Sequence, residues 1–172
     1  MTASAGMNFR RFFQNAYVTR DLARAEALIG ERHGVQDWVH FEPEMQVYTA
    51  TDGRGACHLK VALGWVGAYQ VELIEPVSGN MRHYLDYLPP APGDASPRLH
   101  HVCMRVADWE ETKAEVAARG WTVAYEGGVE GCQFVYLDAR DSLGHYVEYM
   151  WMSDALWAAS GGPADLLGAR WT

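Results

Sequence analysis

The stretch RLHHVCMRVAD, residues 98 to 108, is an alternating apolar run that ends at an aspartate. It predicts a β-strand followed by the start of a helix, because alternation is typical of a half-buried strand and aspartate is a common helix cap. Side chains that are neighbours in a strand point to opposite faces. We therefore expect His101 to lie on the inner face of a sheet, and His100 to lie on the more apolar face that packs against a helix.

The same order of elements occurs twice along the chain. In each half a strand and a helix come first, and three further strand-like segments follow. In the second half these segments are WTVAYEG, CQFVYLDA and HYVEYMWM, and in the first half the last of them contains VELIEP, residues 71 to 76. Self-similarity of this kind indicates an internal duplication. The sequence therefore predicts an α+β fold built from two βαβββ modules.

The duplication also predicts how the chain is divided. The segment SGNMRHYLDYL reads as a helix, and the Pro-rich segment PPAPGDASP that follows it reads as a linker. We expect a first βαβββ module over 9–78, a linking helix and Pro-rich linker over 79–97, a second βαβββ module over 98–153, and a C-terminal tail over 154–172.

Composition excludes several classes of protein. A formal net charge of -8 over 172 residues disfavours nucleic acid and anionic membranes as partners, since both require a basic field. The three cysteines are widely spaced and form no disulfide framework. No apolar run is long enough to span a bilayer, and the segment MTASAGMNFRRFF lacks the apolar core of a signal peptide. The sequence predicts a cytoplasmic protein.

Four polar side chains occupy matching places in the two modules. Each first strand has a polar residue seven positions before the aspartate that begins the helix, and these residues are Gln14 and His101. Each last strand has a glutamate among apolar residues, Glu72 and Glu148. Two inward carboxylates resist desolvation unless a cation or a shared proton compensates them. One imidazole, two carboxylates and one amide oxygen suit a divalent ion such as Zn, Ni, Co, Mn or Mg.

On these residues the chain resembles the vicinal oxygen chelate superfamily, which includes glyoxalase I, methylmalonyl-CoA epimerases, bleomycin-resistance proteins and dioxygenases. The resemblance spans roughly residues 12 to 152, and RDL, VELIEP, LHHVCMRVAD and LGHYVEYMW are the motifs that support it. It implies a cupped mixed sheet that holds one metal ion with ligands from the first and last strands of each module. By position, the ligands would be Gln14, Glu72, His101 and Glu148, a set similar to that of eukaryotic-type glyoxalase I.

The resemblance implies a divalent-metal-dependent lyase or isomerase that acts on a small-molecule carbonyl compound. A divalent ion acting as a Lewis acid would stabilise an enolate or enediolate while a proton leaves the carbon next to a carbonyl group. Glu148 is the expected base, because Tyr146 and Met150 on its face would form an apolar wall around it. Glu72 is the expected symmetric partner, which returns the proton on the other face.

The sequence departs from the resemblance at the substrate-binding positions. The three anchors that hold glutathione in glyoxalase I are replaced here by Val18, Pro76 and Pro97. Beyond Arg20 and Arg105, few cations near the expected site could hold the phosphates of CoA. The sequence therefore leaves the substrate open. It also disfavours a dioxygenase, whose metal site requires two histidines and one carboxylate.

Other functions remain open at this point. A non-catalytic protein of the same fold would sequester a small molecule, with Trp65, Trp121, Tyr149 and Trp151 as candidate cavity residues. An acyl-CoA epimerase and a purely structural dimerisation domain are further alternatives. The resemblance also predicts a homodimer, and it leaves open whether the site lies within one chain or is shared between two.

Overall fold

A computed structural model of the protein describes residues 12–164. The strands are β1 (Phe12–Val18), β2 (Val39–Phe41), β3 (Glu44–Thr49), β4 (Gly53–Val66), β5 (Tyr69–Gly79), β6 (Arg98–Arg105), β7 (Val123–Val129), β8 (Cys132–Asp138) and β9 (Tyr146–Met152). The helices are α1 (Leu22–His33), α2 (Arg82–Leu85), α3 (Trp109–Arg119), α4 (Arg140–Leu143) and α5 (Asp154–Ala159). None of these helices combines the length and the apolar character that crossing a membrane would require.

The strands form a nine-stranded mixed sheet in the order β2-β4-β3-β7-β8-β9-β6-β1-β5. Within each module the first strand is parallel to the last, so that β1 pairs with β5 and β6 pairs with β9. The two first strands, β1 and β6, join the modules in antiparallel fashion. Because β5 also pairs with β4, and β3 with β7, eight strands curve into a cupped barrel with β2 at its edge. The predicted α+β fold of two βαβββ modules is confirmed.

The two modules begin their helices with the same local chemistry. Asp21 accepts a hydrogen bond from the backbone N–H of Arg24, and Asp108 accepts one from the backbone N–H of Glu111. These caps satisfy N–H groups that have no partner inside the helix. Both helices end at a glycine in the left-handed region, with φ of 71° in the first module and 63° in the second. Because each helix is capped by an aspartate at its start and ends at a glycine, both helices could be predicted from the sequence.

Buried apolar side chains form an inner cluster inside the barrel and two outer clusters under the helices. One outer cluster lies between the sheet and α3, and the other between the sheet and α1. The first module has one short strand, β2, that the sequence did not predict, and α4 occupies a predicted turn. Of the predicted segments, 9–11 and 165–172 lie outside the described residues. The division of the chain at 78, 97 and 153 stays a prediction.

Candidate metal centre

Four neighbouring strands bring the expected ligands onto two rungs of the sheet that are two residues apart, so that their side chains project from the same face. The first rung runs through Glu72, Ala16, His101 and Tyr146, and the second through Gln70, Gln14, Cys103 and Glu148. Each module thus contributes one candidate ligand from its first strand and one from its last. Ala16, the residue between Glu72 and His101, is fully buried and has the small side chain that lets those two residues approach each other.

Three of these side chains meet in one buried cluster. Glu72, His101 and Glu148 each offer one ligand atom, and the three atoms lie within 4.8 Å of one another. The Nε2 atom of His101 is 3.0 Å from an oxygen of Glu148 and 3.4 Å from an oxygen of Glu72. It nevertheless makes no well-aligned hydrogen bond with either carboxylate. In this arrangement the ring nitrogen can direct its lone pair at a cation held between two oxygens, as in metal sites with mixed ligands.

Gln14 presents an amide oxygen to the same space. Its Nε2 donates a hydrogen bond of 2.6 Å to Oε1 of Gln70, which fixes the orientation of the amide group. Its own Oε1 is buried and has no hydrogen-bond partner among residues 12–164. Gln14, Glu72 and Glu148 also line one cavity. A buried carbonyl oxygen without a partner is costly, and a metal ion would satisfy it. The donor set therefore fits a divalent ion.

His100 does not lie where the alternation pattern places it. The register of β1 against β6 shifts at this point, since Ala16 pairs with His101 and Tyr17 pairs with Leu99. His100 is thus the extra residue of a β-bulge, which can redirect a side chain. Its Nδ1 lies 2.8 Å from Nδ1 of His101, so both rings are on the same side. The expectation that His100 faces away from His101 is wrong.

His100 is packed among aromatic rings rather than in an outer cluster. It is fully buried, and its ring contacts those of Tyr84, Tyr87, Tyr136 and Tyr146. Burial holds the pKa of His100 well below its ordinary value, so the ring is neutral. A neutral imidazole can accept a hydrogen bond at Nδ1. His100 can therefore accept a hydrogen bond from the Nδ1–H of His101 and leave the Nε2 of His101 free for a metal ion.

The electrostatics of the cluster are those of two carboxylates that share one imidazole. Burial alone would lower the pKa of His101, but the charges of Glu148 and Glu72 outweigh this effect and raise the pKa to about 9. Burial raises the pKa of Glu72, although the neighbouring His101 opposes the shift. In the metal-free protein an imidazolium ion thus provides the positive charge that the two carboxylates require.

A cavity of about 150 Å³ adjoins the cluster. None of the four aromatic residues that the sequence suggested for a ligand cavity lines it. Trp121 and Trp151 pack with Tyr149 in the outer cluster under α3, whereas Trp65 packs against Phe13 and Trp157. The alternation pattern already places Tyr149 and Trp151 on the face of β9 opposite to Glu148, so these two could not line the same cavity as the cluster.

The C-terminal helix α5 closes part of this cavity, which the sequence did not reveal. Leu156 and Ser160 line the cavity, and the fully buried Trp157 anchors the helix beneath the guanidinium group of Arg105, 4.2 Å from its ring. The indole N–H of Trp65 donates a hydrogen bond of 2.8 Å to the backbone oxygen of Ser160. In the sequence, Ser153 is the residue that indicates the start of this helix. It caps the helix by accepting a hydrogen bond from the N–H of Leu156.

Comparisons with known proteins agree with this fold. The family model described as the Glyoxalase/Bleomycin resistance protein/Dioxygenase superfamily matches residues 13–136. A methylmalonyl-CoA epimerase in complex with methylmalonyl-CoA and NH4+ is 18% identical, with a TM-score of 0.59 over 84% of this chain and 95% of that one. The epimerase from Mycobacterium tuberculosis is 18% identical, with a TM-score of 0.57 over 86% and 91%.

A third similar structure is a variant of the Streptomyces coelicolor methylmalonyl-CoA epimerase in complex with 2-nitronate-propionyl-CoA. It is 18% identical and has a TM-score of 0.58 over 83% of this chain and 97% of that one. No curated protein matches the sequence significantly. At this level of identity the similar structures show the fold, and the site must be judged from the residues themselves.

Proposed function

Because the chain belongs to the Glyoxalase/Bleomycin resistance protein/Dioxygenase superfamily, we propose that it is a divalent-metal-dependent lyase or isomerase of the glyoxalase type. Its reaction begins with removal of a proton from the carbon next to a carbonyl group. The observation that carries this proposal is the buried cluster of Glu72, His101 and Glu148, whose ligand atoms lie within 4.8 Å of one another. Gln14 completes the proposed ligand set.

When bound, a divalent ion supplies Lewis-acid stabilisation of negative charge that develops on the oxygen atoms of the substrate. Glu148 is the proposed base, because its side chain is only 5% exposed and lies beside the apolar Met150. Glu72, the corresponding residue of the other module, is the proposed acid, which donates a proton to the other face of the substrate. His101 and Gln14 hold their positions through His100 and Gln70 respectively. Zn, Ni, Co, Mn and Mg all remain candidates.

Epimerisation of an acyl-CoA is a second candidate within the same chemistry, because it also begins with proton removal next to a carbonyl group. The similar fold of the methylmalonyl-CoA epimerases favours it. Sequestration of a small molecule without turnover is a third candidate, which the largely apolar lining of the cavity favours. A dioxygenase remains disfavoured, because the cluster has one histidine and two glutamates.

Exchange of substrate hydrogen with solvent deuterium separates these candidates. The metal-loaded protein is incubated in deuterated buffer with a panel of hydroxy-carbonyl, keto-acid and thioester compounds, and the label is followed by NMR. We expect metal-dependent exchange next to the carbonyl group of at least one compound. The Glu148→Gln variant should slow exchange by at least about 10²-fold, because it removes both a proposed metal ligand and the proposed general base, whose usual contribution is about 10²- to 10⁴-fold.

Glu126→Gln is the matched control, because Glu126 is also a strand glutamate, on β7, and lies outside the cluster. It should exchange at the rate of the unmodified protein. Binding of a compound without exchange would favour sequestration and contradict the proposal. Exchange that persists after removal of the metal would contradict the role of the ion.

A further inference from the structure

The cavity beside the metal centre is polar at one end only. At the other end, the tyrosine and serine hydroxyl groups already make hydrogen bonds within the protein. The hydroxyl groups of Tyr84 and Tyr136 form a hydrogen bond with each other, with their oxygens 3.0 Å apart. The hydroxyl group of Ser160 donates a hydrogen bond of 2.7 Å to the backbone oxygen of Trp157. The hydrogen-bonding capacity left for a ligand therefore lies mainly at the end of the cavity formed by Gln14, Gln70 and the carboxylate cluster.

The rest of the cavity wall is apolar and has no counter-charge for an anion. Its apolar residues are Phe41, Pro43, Met45, Leu59, Val61, Leu63, Ile74, Val129, Cys132, Phe134, Met150, Met152 and Leu156. No lysine or arginine lines it within the described part of the chain. Its volume of about 150 Å³ is that of an apolar protein cavity known to hold benzene. The wall thus suits a compact hydrocarbon group of about six carbons.

The surface around the cavity is acidic. Exposed glutamates stand next to cavity-lining residues in the chain, at Glu42, Glu44 and Glu130. A groove that shares part of this wall contains three glutamates and two cations, Glu44, Glu126, Glu130, Arg54 and Lys113. One of these cations, Lys113, is paired with Glu110 at 2.9 Å. Like charges repel, so the glutamates around the cavity disfavour the phosphates of CoA and the carboxylates of glutathione.

We propose that the substrate of this site is a small free α-hydroxy or α-oxo carbonyl compound with an uncharged aryl or branched aliphatic side chain of about six carbons. This inference rests on the proposed function and narrows it. The two neighbouring oxygens of the compound lie at the polar end of the cavity, and the side chain fills the apolar part. Neither a CoA thioester nor a glutathione adduct is required for binding.

The test compares compounds that share one head group. 2-Hydroxyacetophenone and hydroxyacetone have the same hydroxy-ketone head, but the first has a phenyl group where the second has a methyl group. Isothermal titration of the metal-loaded protein should give about 100-fold tighter binding of 2-hydroxyacetophenone, from the additional apolar surface that is buried. In deuterated buffer, the carbon–hydrogen bond next to its carbonyl group breaks, Glu148 takes the proton, and the carbon accepts a deuteron.

A variant tests whether the cavity causes this preference. Val61 lines the cavity, whereas Val66 on the same strand is 49% exposed and lies outside it. Val61→Phe should weaken binding of 2-hydroxyacetophenone at least about tenfold without changing that of hydroxyacetone, and the matched Val66→Phe should change neither. If Val61→Phe does not fold, the comparison of the two ketones on the unmodified protein decides the question.

The outcomes separate this inference from the proposed function. Equal affinity for the two ketones would overturn the inference and leave the proposed function standing. Exchange into methylmalonyl-CoA, with no binding of either ketone, would have the same consequence. If no compound exchanges but 2-hydroxyacetophenone still binds more tightly than hydroxyacetone, the ligand class would be supported and the proposed function would be overturned.

Discussion

His100 and His101 are adjacent in the chain and meet through their Nδ1 atoms, 2.8 Å apart. If His101 binds the ion through Nε2, its proton resides on Nδ1, which donates a hydrogen bond to Nδ1 of His100. Partners of this kind orient metal ligands, and their loss costs about 10- to 100-fold in metal affinity. We expect His100→Phe to weaken metal binding by this factor, measured by competition with a chelator of known affinity.

His83 offers a matched control for this prediction. It is also a buried histidine and packs on Tyr84 and Tyr125, but neither of its ring nitrogens has a hydrogen-bond partner within the described residues 12–164. His83→Phe should leave metal affinity unchanged, because an apolar ring of similar shape replaces a polar group that is unsatisfied. Equal loss of affinity in both variants would show that general packing, rather than the contact between the two histidines, holds His101.

The raised pKa of His101 makes metal binding depend on pH. In the metal-free protein this pKa is about 9, above the ordinary value of 6.5. The ion pair therefore contributes stability that is fully present below pH 6.5 and is lost as the pH rises through about 9. A proton and a metal ion compete for Nε2, so metal affinity should rise about tenfold per pH unit from pH 7 to pH 8.5.

Titration calorimetry in buffers of different ionisation enthalpy measures the number of protons released as the metal binds. At pH 7 we expect release of about one proton per ion. Affinity that stays constant over this range, with no proton release, would contradict the assignment of His101 as a ligand.

At the scale of single residues, symmetry made the candidate site predictable. Gln14 matches His101 and Glu72 matches Glu148, so each residue supported the interpretation of its counterpart. The inward position of His100 was not predictable, because a one-residue bulge in β6 leaves no trace in the alternation pattern. The partner of Gln14 was equally hidden, since Gln70 reaches it only through the parallel pairing of β1 and β5.

At the scale of the elements, β1 separates the two sides of the cluster. Its residue Ala16 pairs with Glu72 on β5 and with His101 on β6, and it is fully buried on the inner face. A larger side chain there would occupy the space into which both ligands point. We expect Ala16→Leu to abolish stoichiometric metal binding in elemental analysis and to lower the free energy of unfolding by about 1–3 kcal/mol.

Ala62→Leu controls for the cost of overpacking. Ala62 is fully buried as well, but it lies on β4 in the outer cluster under α1. Its substitution should lower the free energy of unfolding by a similar amount and leave the metal in place. Loss of metal in both variants, measured under conditions in which both are folded, would show that the effect of Ala16→Leu is not local.

Strand and helix positions were predictable where the signals are local. The caps at Asp21 and Asp108 identify the helix starts, and glycines identify their ends. The short strand β2 was missed because three residues give too little alternation, and it forms through pairing with β4. Elements of this kind depend on a partner that is distant in sequence, and no local pattern reports them.

At the scale of the whole molecule, the two modules close one barrel around one site. The cluster of Glu72, His101 and Glu148 forms within a single chain. The predicted homodimer is therefore not needed to assemble the site. We expect sedimentation analysis to give twice the chain mass of 19.2 kDa, with a metal content per chain that does not change on dilution. A monomer at micromolar concentration would contradict the predicted dimer.

The fold class was predictable from the repeated order of elements, whereas the closure of the barrel was not. Closure depends on the pairing of β3 with β7, in which Val47 faces Gly127. A Cβ atom on Gly127 would lie 2.9 Å from a methyl group of Val47 and 3.0 Å from the ring of Phe134. The absence of a side chain at Gly127 thus allows the two modules to approach, a requirement that appears only once both are placed.

The metal content of the purified protein tests the central claim most directly. Elemental analysis after dialysis against Zn, Ni, Co, Mn or Mg should give one ion per chain for at least one metal. His101→Gln and Glu148→Gln should each remove it. His58→Gln should retain it, because His58 is a partly exposed histidine that pairs with Glu42 away from the cluster. A folded protein that binds no divalent ion, or binds it equally well in all three variants, would contradict the account.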